Sequence, residues 1–283
     1  MSLNLVTVCG HNTTMLKHML THYKDIVDDI FVVVYLSSDM DKVLSEVIEI
    51  VKDLNIDIHK TTIESAFNWE RVTELYNETK QLKPNDWWIV ADDDEFHVYP
   101  KPINELIEEC EENDYKFITG AFLDRIGENG KFSSINDDSD IWKEFPLAGS
   151  FRLPVSNACS NKTIVMKGEI DVTPGQHYAM IDGEDTYGDR WNHPLRYPID
   201  KCFIQVHHFK WDLSVLRRIR EVVRVKEDYS FHEEYKRMFD YILDNNMKID
   251  ITDERFKIER CGNDFTDYKK WDEVRDEAIA YRL

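Results

Sequence analysis

Four consecutive carboxylates, Asp92, Asp93, Asp94 and Glu95, are the residues whose type and spacing most directly indicate chemistry. They follow the apolar run at residues 87–91, which is typical of a buried strand. Like charges this close together repel one another unless a cation neutralises them. Carboxylate oxygens suit Mg²⁺ or Mn²⁺, and such an ion can bind a diphosphate and stabilise it as a leaving group. The alternative interpretations are a solvated acidic turn, or a helix N-cap followed by acidic residues in the first turn.

An alternation of strand and helix patterns leads up to this acidic run. The pattern at residues 3–9 predicts a buried strand, and the apolar run at 87–91 predicts another. The apolar run at residues 30–36 predicts a central parallel strand that is covered on both faces. Stretches with apolar residues at the i, i+3, i+4 spacing of an amphipathic helix lie between them. This order predicts an α/β fold with a mostly parallel central sheet flanked by helices.

Three polar turns fall at one edge of that predicted sheet. Gly10, His11 and Asn12 follow the first strand, Asp39 follows the second, and the acidic run follows the strand at residues 87–91. Ligands of open parallel sheets bind beyond the carboxyl ends of the strands. We therefore expect one crevice to receive all three turns.

The second part of the chain has a mixed pattern without a linker rich in proline or glycine. Further strands are predicted at residues 116–123, 163–167 and 203–209, two helices at 213–245, and a polar tail beyond about 250. The predicted domain organisation is a main domain at residues 1–211, with a nucleotide-binding half at 1–100 and an acceptor half at 101–211. Residues 212–283 are predicted to form a helical C-terminal extension packed on the same domain.

The composition excludes several classes of partner. Lysine and arginine total 35 against 55 acidic residues, and the resulting net charge of −20 argues against binding to nucleic acid. The longest apolar run is far shorter than the ~20 residues of a membrane helix, so no integral membrane segment is expected. The five cysteines are scattered and the N-terminus lacks a signal-peptide pattern, which favours a cytoplasmic location. The oligomeric state is left open.

The segment WWIVADDDEF at residues 87–96 resembles the DxD motif of GT-A-fold glycosyltransferases, in the form found in family-2-like enzymes. Segments at residues 6–23, 68–77, 122–130 and 207–211 resemble further landmarks of that group in the same order. The resemblance implies a GT-A, Rossmann-like fold with a helical C-terminal extension. It also implies metal-dependent transfer of a sugar from a nucleotide-diphosphate donor to a carbohydrate or other hydroxyl acceptor. Inversion at the anomeric centre and a place in glycan biosynthesis are the implied details.

The same resemblance implies roles for individual residues. Asp92 and Asp94 would hold Mn²⁺ or Mg²⁺, together with His207 or the adjacent His208. Because neighbouring side chains of a strand point to opposite faces, only one of the two histidines can serve. The implied donor-binding residues are Gly10, His11, Asn12, Asp39, Arg71, Asp92, Asp93 and Lys162.

A transfer that inverts the anomeric centre needs a base to deprotonate the acceptor hydroxyl. Asp124 is the first candidate, because it ends a strand predicted to neighbour the acidic strand, and Arg125 beside it could hold either Asp124 or the diphosphate. Glu184 and Asp185, in a loop bounded by glycines, are the alternative. On the acceptor side, His177 follows a Gly-Gln turn, and Trp191 lies in a polar loop where its ring could stack on a sugar.

Two other classes of protein fit the same carboxylates. A metal-dependent nucleotidyltransferase or phosphohydrolase would share the acidic strand end but release pyrophosphate or phosphate. A non-catalytic nucleotide-sugar binding protein would bind the nucleotide without turnover. The sequence contains no GxxxxGK[ST] motif, which argues against a P-loop NTPase.

Overall fold

The computed structural model describes residues 2–10, 12–37, 42–64, 68–188, 192–201, 204–225 and 231–261. These residues group into two compact units. Unit 1 contains the described residues up to 120 and those at 161–205, and unit 2 contains residues 121–160 and the described residues from 206 onward. This grouping by contacts differs from the domain boundaries drawn from the sequence at residues 100 and 211, which stay a prediction.

Strands and helices alternate through the first part of the chain, as the sequence predicts. The strands are β1 (Leu3–Cys9), β2 (Asp29–Leu36), β3 (Ile58–Ile63), β4 (Trp87–Val90), β5 (Glu95–Val98), β6 (Phe117–Ile126), β7 (Leu147–Ser150), β8 (Asn161–Lys167), β9 (Asp171–Val172), β10 (Ala179–Ile181), β11 (Glu184–Asp185), β12 (Ile204–His208) and β13 (Lys257–Arg260). The helices are α1 (Leu16–Tyr23), α2 (Val43–Asp53), α3 (Trp69–Lys80), α4 (Ile103–Glu112), α5 (Ile141–Glu144), α6 (Arg152–Ser156), α7 (Leu213–Val225) and α8 (His232–Asp244).

Unit 1 is built on a mostly parallel sheet in the order β8-β4-β1-β2-β3. The pairs β1–β2, β2–β3 and β1–β4 are parallel, whereas β8 is antiparallel to β4. This confirms the predicted α/β class. The chain adds β2 and β3 on one side of β1 and then returns to add β4 on the other side. The carboxyl ends of β1 and β4 therefore flank a topological switch point, which is where open α/β sheets bind ligands.

Burial explains why the central strands are mostly apolar in sequence. Every residue of β1 and of β4 is buried, and Trp87 and Trp88 have no exposed surface. Helix α1 packs an apolar stripe into the core, formed by Leu16, Met19, Leu20 and Tyr23. Each such side chain contributes roughly 1.5–3 kcal/mol on burial. Strands that are covered on both faces reach solvent only at their ends, so the polar turns gather at the sheet edge.

Unit 2 combines a short antiparallel sheet with helices. Strands β13, β7 and β6 pair in that order, and α7 and α8 pack on a core that includes Trp211, Ile219 and Met238. The two helices are confirmed, and strand β13 forms within the segment predicted as a polar tail. Its side chains are exposed or half-buried, so the strand lacks an apolar pattern that would reveal it. Within the described ranges, no helix has the length and apolarity needed to cross a membrane.

Candidate functional site

The acidic run forms a turn directly after β4, at the switch point of the unit 1 sheet. The backbone N–H of Glu95 donates to the carbonyl of Asp92 at 3.1 Å, which closes the turn. Burial, followed by the negative charge of Asp93, raises the pKa of the Cys9 thiol at the end of β1. Because β4 pairs in parallel with β1, the acidic turn after β4 and the end of β1 lie at the same edge of the sheet.

Tyr76 joins this turn to helix α3 and strand β1. Its hydroxyl donates to Asp92 Oδ1 at 2.8 Å and accepts from the backbone N–H of Val8 at 3.2 Å. Burial, followed by the charge of Asp92, raises the pKa of Tyr76 well above its ordinary value, so the phenol remains a donor. One buried hydroxyl thus fixes the Asp92 carboxylate relative to both strands that flank the switch point.

Lys162 brings a positive charge into the acidic turn from strand β8. Its Nζ lies 2.8 Å from Glu95 Oε1 and 3.7 Å from Asp92 Oδ2, and the lysine and glutamate side chains are each 1% exposed. The other carboxylate oxygen of Glu95 accepts from the backbone N–H of Asp92 at 3.3 Å. Lys162 is therefore an internal counter-ion of the turn, and its predicted contact with the donor stays a prediction.

The 3-10 turn Pro174–Gln176 supplies further partners of Lys162. The carbonyl of Gly175 accepts from Lys162 Nζ at 3.0 Å, and the side-chain oxygen of Gln176 accepts from the same ammonium group. Gln176 Nε2 donates to Asp92 Oδ1 at 3.4 Å. Gln176 has a φ of 52°, a left-handed conformation that is uncommon outside glycine and that turns its buried side chain toward the carboxylates.

His177, predicted on the acceptor side, follows this turn directly. Its Nδ1 donates to the carbonyl of Asn161 at 2.8 Å, which ties the turn to the first residue of β8. The side chain is half-buried. A role toward an acceptor stays a prediction.

The predicted metal residues differ in how far they suit a divalent ion. Among the described residues, no group of three or more His, Cys, Asp and Glu side chains is arranged to hold a metal. Asp92 already accepts from Tyr76 and Gln176 and lies beside the ammonium group of Lys162. Asp94 is a half-buried carboxylate in the same turn. It fits Mg²⁺ or Mn²⁺, which are commonly held by one or two carboxylates together with substrate phosphates.

A second polar cluster lies in unit 2, around Asp124 on β6. Asp124 Oδ1 accepts from His208 Nδ1 at 2.8 Å and from Trp211 Nε1 at 2.9 Å, and the side chain is 1% exposed. Burial alone would raise the pKa of Asp124, but the hydrogen bond from His208, the charge of Arg152 and the hydrogen bond from Trp211 together lower it. Asp124 is therefore held ionised, with His208 oriented against it.

Arg125 and His207 lie on the other face of the same two strands. Arg125 Nε and Nη2 donate to the carbonyl of Phe145 at 3.0 and 2.6 Å, and Nη1 lies 3.4 Å from His207 Nδ1. The expectation that Arg125 holds Asp124 is therefore wrong, because consecutive strand residues point to opposite faces. The same alternation separates His207 from His208. A metal-binding role of His207 stays a prediction, and its Nδ1 faces a guanidinium group.

Gly10 has a structural requirement of its own at the end of β1. A Cβ atom built on Gly10 would lie 1.6 Å from the carbonyl oxygen of Tyr35, so only glycine permits β1 and β2 to come this close. Asn12 is exposed, and its side-chain oxygen accepts from the backbone N–H of Thr14 at 3.1 Å. The donor contacts predicted for Gly10 and Asn12 stay predictions. Three further predicted residues, His11, Asp39 and Trp191, lie outside the described residues.

Arg71 forms ion pairs along the surface of α3. Its guanidinium group pairs with Glu64 at 3.3 Å, Glu74 at 2.8 Å and Glu78 at 2.6 Å. These bonds, with those to Glu78 and Glu74 the largest cause, raise the pKa of Arg71. The predicted donor contact would have to compete with these three carboxylates.

The alternative base candidates, Glu184 and Asp185, form strand β11 in unit 1. Both are exposed, and Asp185 Oδ1 accepts from the backbone N–H of Tyr187 at 3.0 Å. They pair with β10, which in turn pairs with β9, in a small antiparallel sheet. The candidates for the base thus differ sharply in environment, since Asp124 is buried and these two face solvent.

The sequence patterns do not indicate that Tyr76, Gln176 and Trp211 are polar partners of the two clusters. Tyr76 and Trp211 look like core aromatics in the sequence, and both rings are indeed buried. The phenol O–H of Tyr76 and the indole N–H of Trp211 could have indicated this role, because such groups generally have a hydrogen-bond partner when they are buried.

No protein-family model matches this chain, and no curated protein matches it. Among solved structures, it is similar to S. aureus TarS 1-349, at 13% identity and a TM-score of 0.36 over 90% of this chain and 77% of that one. A 4-diphosphocytidyl-2C-methyl-D-erythritol synthase matches at 16% identity and a TM-score of 0.32, covering 59% of this chain and 75% of that one. A putative glucose-1-phosphate thymidylyltransferase from Bacillus anthracis matches at 11% identity and a TM-score of 0.29, and the match covers 47% of this chain and only 58% of that chain. Similarities at these TM-scores carry no information about the reaction.

Proposed function

We propose that this protein is a glycosyltransferase that transfers a sugar from a nucleotide-diphosphate donor to a hydroxyl acceptor. The observation that carries the proposal is the acidic turn at residues 92–95, which follows β4 at the switch point beside the end of β1. This is the edge at which open α/β sheets bind nucleotides. The resemblance of the same turn to the DxD motif supports a nucleotide-sugar donor.

A divalent ion, Mn²⁺ or Mg²⁺, is part of the proposal, with Asp94 as the residue of the turn that fits it. When bound, such an ion would neutralise the diphosphate as it leaves. Tyr76 and Lys162 would hold the Asp92 carboxylate in place while the donor binds. The base is proposed among Asp124, Glu184 and Asp185, and the rates of Asp124→Asn, Glu184→Gln and Asp185→Asn would distinguish them.

Nucleotide binding is the first test. The thermal unfolding of the protein would be measured with UDP, GDP, CDP or dTDP, each with Mn²⁺, Mg²⁺ or EDTA. One nucleotide is expected to stabilise the fold in a metal-dependent way, by about 2.7 kcal/mol at a concentration 100 times its Kd. Asp94→Ala should abolish the metal-dependent part, whereas Asp57→Ala, an exposed carboxylate before β3, should not.

The product of turnover separates the classes of enzyme. A glycosyltransferase releases a nucleoside diphosphate from the sugar nucleotide identified by binding. Release of pyrophosphate from a nucleoside triphosphate and a sugar phosphate would instead indicate a nucleotidyltransferase, and release of inorganic phosphate a phosphohydrolase. Binding without any turnover would indicate a nucleotide-sugar binding protein. Full donor turnover by a correctly folded Asp94→Ala variant would contradict the proposal.

A further inference from the structure

The ammonium group of Lys162 reaches the acidic turn from β8, where the adjacent carboxylates need a positive charge to offset their repulsion. Its ammonium group stands between two carboxylates, 2.8 Å from Glu95 Oε1 and 3.7 Å from Asp92 Oδ2. The lysine and glutamate side chains are each 1% exposed, so little water screens the Lys162–Glu95 pair, whereas the Asp92 side chain is 30% exposed. The positive charge therefore relieves the repulsion between Asp92 and Glu95, which a divalent ion would otherwise have to do.

The ammonium group is also held in a fixed orientation. It has three N–H donors. Two hydrogen bonds hold it, to the carbonyl of Gly175 and to the side-chain oxygen of Gln176, and the ion pair with Glu95 Oε1 adds a third contact. Turning the group toward a phosphate in the crevice would break at least one of these buried contacts, which is costly.

We infer that Lys162 is a positioning residue that takes the place of a metal ion at Asp92, so that a divalent ion at this turn is left to Asp94. The inference deepens the proposed function and rests on it for the expectation that a divalent ion binds here. It makes the two aspartates of the DxD pattern unequal, because Asp92 has an internal counter-ion. Asp92 becomes available as a metal ligand only when Lys162 is removed.

A titration with Mn²⁺ alone tests the inference without any nucleotide. Lys162→Met is expected to bind Mn²⁺ at least about tenfold more tightly than the wild-type protein, because affinity for such ions follows the charge and number of the oxygen ligands. Adding Asp92→Asn to Lys162→Met should remove this gain. The matched control is Lys167→Met, which lies on the same strand, is also buried and pairs with Glu111, but sits beside Trp87 at the other end of β4. It should leave Mn²⁺ affinity unchanged.

Equal Mn²⁺ affinities of the wild-type protein and Lys162→Met would overturn the inference. Asp92→Asn in the wild-type background provides a test that retains Lys162, in case the lysine variant does not fold. This single variant should leave Mn²⁺ affinity unchanged, and a loss of about tenfold, as expected for a direct ligand, would also overturn the inference. If no nucleoside diphosphate binds, that result would contradict the proposed function. The Mn²⁺ titrations would still test the role of Lys162.

Discussion

The Tyr76 hydroxyl donates to Asp92 Oδ1 at 2.8 Å while it accepts from the backbone N–H of Val8. Tyr76→Phe should destabilise the protein by about 1.5–3 kcal/mol, the usual range for a hydrogen bond to a charged group, and leave the Val8 N–H without this acceptor. Chemical denaturation measures the loss. Tyr115→Phe, a half-buried tyrosine of the same unit, is the control and should cost far less. Equal losses in the two variants would show that the hydroxyl of Tyr76 has no special role.

The buried amine of Lys80 should make stability depend on pH. Its Nζ has no exposed surface and donates to the carbonyl of Ile170. Burial lowers the pKa of Lys80 from 10.5 to about 7, against the opposite effect of Asp171. Between these two pH values the unfolded chain holds a proton that the folded chain has released. The free energy of unfolding should therefore rise with pH in this window, by up to about 1.4 kcal/mol per pH unit.

The variant that tests this dependence is Lys80→Met, which keeps the apolar stem and removes the titrating group. In this variant the free energy of unfolding should no longer rise between pH 7 and 10.5. The variant should also be more stable than the wild-type protein at pH 7. Denaturation curves across this range, with the exposed Lys52→Met as the control, give the comparison. Identical pH profiles for Lys80→Met and wild type would refute the assignment.

Asp124 should contribute to stability at neutral pH and lose that contribution in acid. Its folded pKa lies below the ordinary value of 3.8, so its stabilising contribution is present above that value and disappears as the pH falls through the folded pKa. Asp124→Asn should cost about 1.5–3 kcal/mol at pH 7, because His208 and Trp211 lose a charged acceptor. The difference in free energy of unfolding between the wild-type protein and Asp124→Asn should shrink below about pH 3.8. Urea denaturation at several pH values measures it. Asp138→Asn, an exposed residue of unit 2, should show neither effect.

Gly10→Ala should disrupt the pairing of β1 and β2, because the new Cβ would lie 1.6 Å from the Tyr35 carbonyl oxygen. We expect a loss of about 3 kcal/mol or more, at the upper end for overpacking, since a strand backbone must move. Gly188→Ala is the matched control, because its Cβ would meet no atom within 4 Å. Thermal unfolding of both variants decides the point, and a fully stable Gly10→Ala would contradict the observed spacing of the strands.

Strands β1, β2 and β4 of unit 1 were predictable from the sequence because burial leaves their segments mostly apolar. The position of the acidic turn followed from the same pattern, since it comes directly after the run at residues 87–91. Strand β13 was not predictable, because it is an exposed edge strand whose pairing with β7 depends on the missing Cβ of Gly149, where a side chain would meet the Lys257 carbonyl oxygen.

The candidate site was predictable only in part. The carboxylates are adjacent in sequence and therefore visible, but their partners come from other parts of the chain. Lys162 and Gln176 reach the turn through the antiparallel pairing of β8 and a left-handed turn residue, neither of which has a local signal. For the same reason the sequence gives no sign that Lys162, predicted as a donor-binding residue, is buried against Glu95.

The direction of β8 has a consequence for how this site could diversify. Because β8 runs antiparallel to β4, its first residues, and not its last, lie at the edge where β4 ends. The lysine thus enters the site at the beginning of a strand, immediately after a loop. Replacement of that loop and of the first residues of β8 during evolution could make the site neutral or acidic. The apolar middle of β8 would meanwhile keep the sheet intact. The charge of the crevice and the stability of the core are therefore encoded in separable parts of one strand.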